Sequence, residues 1–251
     1  MAKRATKKRT RKAKGGPVRR FLAWFFGWEI LKGALRWALR AVLALAVLAV
    51  LLVALFSVVR PPATPYMLAE RFRLGALEHS WVPIEDVAPA VARSIVAAED
   101  ANFCLHWGFD MGAIRAAIAD GSVRGASTIT QQVVKNVWLW HGRSWPRKAL
   151  EAMITPAVEA AWPKRRILEL YLNLAEFDEG VFGVEAASRH YFGIKAADLS
   201  AVQAARLAAV LPDPKGRSAA TPSPGLRSRA AAIMDGAATI ARDGRAACFE
   251  D

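Results

Sequence analysis

Several common enzyme chemistries are missing from this 251-residue chain. It has two cysteines, Cys104 and Cys248, and four histidines, His79, His106, His141 and His190. Two thiols cannot build a zinc ribbon or a dense disulfide framework, and no histidine pair has the HxxxH spacing of a zinc site. If both cysteines face an oxidising compartment one bridge can form; otherwise they stay thiols. No S-x-x-K, K-T-G or G-x-S-x-G occurs, which removes the penicillin-binding acyl-enzyme centre and the nucleophile elbow. Alternating strand patterns are scarce, and Ser80 to Ile84 is too short to assign. There is no internal repeat.

Acidic residues are nearly absent from the first forty positions. These carry thirteen Lys or Arg against a single acid, Glu29, which leaves 22 basic and 21 acidic residues for the rest. The net charge of +13 therefore belongs to the tail, not to the folded domain. A nucleic-acid-binding tail has the same composition, but the segment that follows favours a membrane.

Ala41 to Val59 is nineteen residues without a charge, framed by Arg40 and Arg60. As a helix it covers roughly 28 Å, close to a bilayer's hydrocarbon core. A buried core helix is rarely so long and so evenly apolar. Ser57-Val58-Val59-Arg60 is no small-x-small cleavage site, which argues against a removed signal peptide. The positive-inside rule keeps the tail (Lys3, Arg4, Lys7, Lys8, Arg9, Arg11, Lys12, Lys14, Arg19, Arg20) cytoplasmic and puts everything after Arg60 outside. Trp24, Phe25, Phe26, Trp28 and Trp37, between tail and span, suit the headgroup layer. The expected organisation is a tail and interfacial segment over 1–40, a span over 41–59, a Pro-rich linker over 60–65 and one domain over 66–251.

That domain reads as mostly α-helical. Helices are expected from Pro89 to about Asp100, from Ser144-Pro146, and from Pro163 through Leu174. Another starts at the Ser200/Gln203 capping box and ends at Leu211-Pro212. A last one covers about 227–242, after a Pro- and Ser-rich loop.

Four clusters could carry chemistry. In the first, Glu99-Asp100 to Asp110, Glu99 follows Val91 and Ile95 on the apolar stripe of its helix. A carboxylate there is desolvated, which raises its pKa and suits a general base. The bland alternative is a helix-end carboxylate paired to an arginine or to His106. The second cluster is Arg124 to Gln132 followed by Lys135-Asn136. Its hydroxyls and amides either bind sugars and phosphates or merely cap a helix. The third, Arg147-Lys148-x-x-Glu151, is either an exposed i,i+4 ion pair or a second site carboxylate beside phosphate-binding cations. The fourth starts Lys164-Arg165-Arg166, three cations opposing a helix dipole. That placement hints at an anionic partner, a lipid headgroup included.

Taken in order, the clusters resemble the monofunctional biosynthetic peptidoglycan transglycosylases, related to the glycosyltransferase domain of bifunctional penicillin-binding proteins. The matching residues are Glu99-Asp100-x-x-Phe103-x-x-His106-x-Gly108-x-Asp110, Gly125-x-Ser127-Thr128-Ile129-Thr130-Gln131-Gln132-x-x-Lys135-Asn136, Arg147-Lys148-x-x-Glu151, Lys164-x-x-Ile167-Leu168-Glu169-x-Tyr171-Leu172-Asn173, and Leu199-Ser200 to Leu211-Pro212. The resemblance covers about residues 80–245. Gln203 stands where the family usually has Glu.

The resemblance implies a lysozyme-like α-helical domain that joins lipid II disaccharides to a growing lipid-linked glycan. The β-1,4 bond forms with inversion as the lipid diphosphate leaves. It implies Glu99 and Glu151 as catalytic residues. The implied substrate-binding residues are Asp100, His106, Ser127, Thr128, Gln131, Gln132, Lys135, Asn136, Arg147, Lys148, Lys164 and Asn173. No cofactor is obligatory; Glu151 holds either the arginine, Arg147, or a divalent cation such as Mg or Mn near the diphosphate. The expected partners are lipid II, the glycan, the bilayer and other cell-wall synthesis proteins, with no nucleic acid. The expected location is the inner membrane, with the catalytic domain periplasmic. The rival readings are a lytic enzyme of the same fold, which would not need Lys135, Arg147 and Lys148, and a non-catalytic scaffold.

Overall fold

A computed structural model describes residues 16–121, 127–142 and 144–250. The basic tail before residue 16 and Arg124-Gly125-Ala126 of the second cluster lie outside the described residues. The chain divides into two compact units, Met1–Leu52 and Val53–Asp251.

The described part of the first unit is a single helix. α1 runs Pro17–Phe56, its last turn belonging to the second unit. Ile30–Phe56, 27 residues, is long and apolar enough to cross a membrane. Leu35, Val42, Leu45 and Leu51 are exposed along it, as lipid-facing side chains are. The helix differs from the expected span at both ends. It continues unbroken from the aromatic segment through Arg40, where Lys32 lies over the Trp28 ring and Arg40 over that of Trp37. Long cationic side chains paired with indoles are tolerated at a headgroup layer. At the other end the helix stops at Phe56, so Val58 and Val59 fall beyond it.

In the second unit the expected linker is already part of the fold. Pro61 and Thr64 are buried. Thr64 caps α2 (Pro65–Leu74), its Oγ1 accepting from Met67 N at 3.1 Å. The carbonyls left over at the end of α1 are also satisfied within this unit. Trp162 Nε1 donates to Val53 O at 2.7 Å, and Arg166 donates to Phe56 O at 3.1 Å and Val59 O at 2.8 Å.

The remaining helices are α3 (Pro89–Glu99), α4 (Met111–Ala119), α5 (Ile129–Trp138), α6 (Trp145–Ala161), α7 (Lys164–Leu174), α8 (Val184–Phe192), α9 (Ala201–Val210), α10 (Pro224–Arg242) and α11 (Ala247–Glu250). The architecture is mostly α, as expected. α3, α9 and α10 pack together, and α5 packs on α6 and α7. Their shared core includes Val91 and Ile95 of α3, Ile129 and Val134 of α5, Ile167, Leu168 and Leu170 of α7, and Leu207 of α9, all fully buried. Each such side chain contributes roughly 1.5–3 kcal/mol by its burial. α9 begins at the expected capping box of Ser200 and Gln203.

A small sheet was not legible in the sequence. β1 (Glu78–His79), β2 (Glu176–Asp178) and β3 (Val181–Phe182) lie in the order β1-β3-β2, with β1 parallel and β2 antiparallel to β3. Strands of two or three residues have no period to detect. Gly183 ends the hairpin at φ +84, where a Cβ would sit 2.9 Å from Asn173 O. Both the backbone angle and the space require glycine.

Cys104 and Cys248 form a disulfide across 144 residues, with Cα atoms 5.7 Å apart. It ties the turn that follows α3 to α11. Phe103 and Phe249 pack beside it in the core.

Candidate active site

Three helices bring Glu99, Gln132 and Tyr171 together. Glu99 is the last residue of α3 and is half-buried. Gln132 Nε2 donates to Glu99 Oε2 at 2.9 Å, and Gln132 Oε1 accepts from Tyr171 Oη at 3.3 Å. Burial pushes the Glu99 carboxyl above its ordinary pKa, and Asp100 adds to the rise; the Gln132 bond, Arg229 and Lys135 oppose it. A carboxylate raised this way and held by one neutral donor can accept a proton near neutral pH.

The second carboxylate is Glu151 on α6, only 3% exposed. Arg147 Nη1 donates to its Oε2 at 2.7 Å, and Lys148 Nζ bonds its Oε1. Lys148 Nζ also donates to Ser127 Oγ at 3.1 Å, and Arg147 Nε to Gly142 O at 2.8 Å. Of the two readings of this cluster, the exposed ion pair does not hold: a buried carboxylate sits between Arg147 and the partly exposed Lys148. A buried carboxylate with a cation on each oxygen fixes where those cations sit.

Lys135 lies in the field of both carboxylates. Its side-chain ammonium forms no ion pair or hydrogen bond among the described residues. Burial lowers its pKa, with Arg147 and Lys148 acting the same way; Glu151 and Glu99 pull it back up. An unpaired, partly desolvated ammonium that feels both carboxylates but bonds neither is poised to meet a mobile anion.

A cleft of about 320 Å³ opens beside it, lined by Gln132, Lys135, Asn136, Tyr171 and several residues that sequence reasoning missed. Tyr66 donates its hydroxyl to Glu176 Oε2 at 2.6 Å, and burial and that carboxylate push its pKa up to about 12. Lys215 reaches Glu70 at 3.0 Å and Glu176 at 3.5 Å. His141 stacks flat on the Tyr66 ring, centroids 3.4 Å apart. These residues come from four distant points of the chain and belong to no motif, so spacing alone held no signal for them.

Other expected site residues are committed elsewhere. Thr128 and Gln131 form the capping box of α5 and are buried, the bland reading of that cluster. Asp100 accepts from Ile129 N at 3.0 Å and pairs with His106 Nε2 at 2.8 Å, welding the end of α3 to the start of α5. Lys164 bonds Glu159 at 2.9 Å and His106 O at 2.8 Å. Arg165 bonds Phe249 O, and Arg166 bonds Glu169. The three cations at the start of α7 therefore meet protein partners instead of the anionic ligand their placement suggested. Asn173 is fully buried and joined to Val82 N, Val82 O and Glu169 O; the structure does not bring it to the cleft. Among the described residues no three His, Cys, Asp or Glu side chains are grouped to hold a metal ion. Both Glu151 oxygens already bond cations, which does not fit a metal-holding role for that residue.

The family described as "Transglycosylase" matches residues 67–238. Three similar proteins carry the name "Biosynthetic peptidoglycan transglycosylase". One from Jannaschia sp. (strain CCS1) is 61% identical over 214 residues, covering 85% of this chain and 90% of its own length. One from Rhodospirillum centenum is 48% identical over 221 residues, covering 84% and 95%. One from Pseudomonas fluorescens (strain SBW25) is 49% identical over 209 residues, covering 79% and 87%.

Proposed function

Since this chain belongs to the transglycosylase family, we infer that the Glu99–Lys135–Glu151 arrangement is the centre at which it builds glycan. It is a peptidoglycan glycosyltransferase that polymerises the glycan of the cell wall from lipid II. The roles of individual residues are our reading. Glu99 takes the proton from the acceptor sugar's 4-hydroxyl as that oxygen attacks the donor's anomeric carbon. The bond to the diphosphate breaks on the opposite face in the same displacement, so the α-linked donor gives a β-1,4 product. The departing diphosphate is already an anion and needs neutralising more than protonating. Lys135 supplies that charge directly. Arg147 and Lys148 add to it from fixed positions, because Glu151 holds both.

The observation that carries this reading is the unpaired Lys135 ammonium on the wall of the cleft, in the field of both the proton-accepting Glu99 and the Arg147–Glu151–Lys148 cluster. A hydrolase of glycan would have no use for that charge. The test is labelled lipid II with the purified full chain in detergent, products sized on a gel. Long glycan supports the reading; breakdown of added glycan, or no product, refutes it.

The proposed placement is a single pass through the inner membrane, tail cytoplasmic and catalytic domain periplasmic, with other cell-wall synthesis proteins as partners. The charge asymmetry around α1 supports it. So does the Cys104–Cys248 disulfide, which persists in an oxidising compartment.

A further inference from the structure

His141 belongs to no motif and has no role in the mechanism above, yet it stands in the cleft beside Lys135. One face of its ring is covered by Tyr66 and its Nε2 edge by Asn136, while the residue as a whole still reaches solvent. Nε2 lies 3.3 Å from Asn136 Oδ1. That oxygen can only accept, so Nε2 carries the hydrogen and Nδ1 the lone pair. Three cations on three elements act on the ring: Lys135 of α5, Arg147 of α6 and Lys215 after α9. Glu70 opposes them, but its own carboxylate is shared between Arg73 and Lys215. Tyr66 stays neutral throughout, and Glu176 and Asp213 complete the charged groups lining the cleft.

We propose that His141 is a conditional cation of the substrate site, neutral in the free enzyme and able to take up a proton at mildly acidic pH when the lipid-linked diphosphate lies against Lys135. This rests on the reading above that Lys135, on the wall of the cleft, meets that diphosphate. The diphosphate diester keeps both charges over the working range, so it reverses the field that the three cations set up at the ring. One proton is then taken from solvent onto Nδ1, Nε2 keeps its bond to Asn136, and the ring adds a further positive donor to the anion.

Burial and the three cations push the free imidazole down to about 3. If binding returns it to the ordinary value near 6.5, linkage makes binding about tenfold tighter at pH 5.5 than at pH 7.5. The sign follows from proton uptake: the bound state holds the extra proton, so affinity grows as pH falls. Lys135 also gains basicity on meeting an anion, and the comparison with His141→Asn separates its share.

The test is kcat and KM for lipid II between pH 5.5 and 7.5, for the full-length wild type and His141→Asn. The expected wild-type KM rises roughly tenfold over that range. In the variant KM is nearly flat and meets the wild-type value at the alkaline end, while the acid limb of kcat, set by Glu99, keeps its position. If wild type polymerises lipid II but the two KM profiles superimpose, the His141 proposal is overturned alone. If wild type makes no glycan at any pH, that reading of Lys135 falls and this proposal with it.

Discussion

Gln132 holds the carboxylate of Glu99, its Nε2 donating to Oε2 at 2.9 Å. The far end of the same amide accepts from Tyr171. Burial keeps the Tyr171 hydroxyl protonated far above its ordinary pKa, so it always has a hydrogen to give. The ionised Glu99 carboxylate only accepts, and that turns the Gln132 amide nitrogen toward it and leaves the amide oxygen for Tyr171.

Replacing Gln132 with Met removes the donor and keeps the bulk. The lost bond favours the ionised carboxylate, so the Glu99 pKa must rise further. A hydrogen bond to a charged group is worth enough to shift it by roughly one pH unit. The acid limb of the kcat profile should move up by that amount, with activity at pH 6 falling more than at pH 8. A normalised profile identical to wild type would count against this link.

Glu99→Gln should lower polymerisation by about 10²–10⁴-fold or more. Its effect on stability has the opposite sign to that of most buried carboxylates. The folded pKa is raised, so the ionised form weakens the fold. That loss is absent at low pH and sets in as pH climbs from the ordinary carboxylate range to the raised value. The variant lacks it and should melt at the wild-type temperature or slightly above at pH 7.5. A marked fall in Tm would show that Glu99 is a structural residue.

Glu151→Ala leaves the largely buried Arg147 and its neighbour Lys148 facing each other without a counter-charge. The expected cost is about 3 kcal/mol, together with loss of activity. Glu151→Gln retains hydrogen-bond acceptance and should melt closer to wild type while still failing to polymerise. Thermal melts in detergent beside the gel assay separate the two effects.

Asn173 offers a cleaner contrast. Asn173→Ala orphans Val82 N and Val82 O in the core, at about 1–3 kcal/mol for each buried group left unpaired. The variant should lose stability, yet any enzyme still folded should show wild-type KM. A raised KM with an unchanged Tm would return Asn173 to the substrate site.

Cys248→Ser removes a crosslink spanning 144 residues, for which about 2–5 kcal/mol is typical. Mild reductant should lower the wild-type Tm toward that of the variant and leave the variant's own Tm alone. Two free thiols in native, unreduced protein would contradict the bridge.

The helices were legible because their signals are local. Pro89 opens α3, the Ser200/Gln203 box opens α9, and the Val91-Ile95-Glu99 stripe puts a carboxylate at the edge of the core. The apolar span showed by length alone, although its start was hidden by Lys32 and Arg36. What escaped depends on distant pairing. The two-residue strand at Glu78 exists only because Val181 lies beside it. Tyr66, His141 and Lys215 share a wall of the cleft without sharing a motif. Motif membership, in turn, did not distinguish Lys135, which lines the cleft, from Thr128 and Asn173, which hold the frame.

The parallel pairing of β1 with β3 also sets a clock. Glu78 has no strand partner until Val181 has been made. At about 5–20 residues per second, that interval is roughly 5 to 20 s. Through it the nascent segment after the anchor carries unpaired backbone and half a core outside the ribosome. Such a chain needs shelter while it waits, and variants that slow its delivery should lose yield before they lose specific activity.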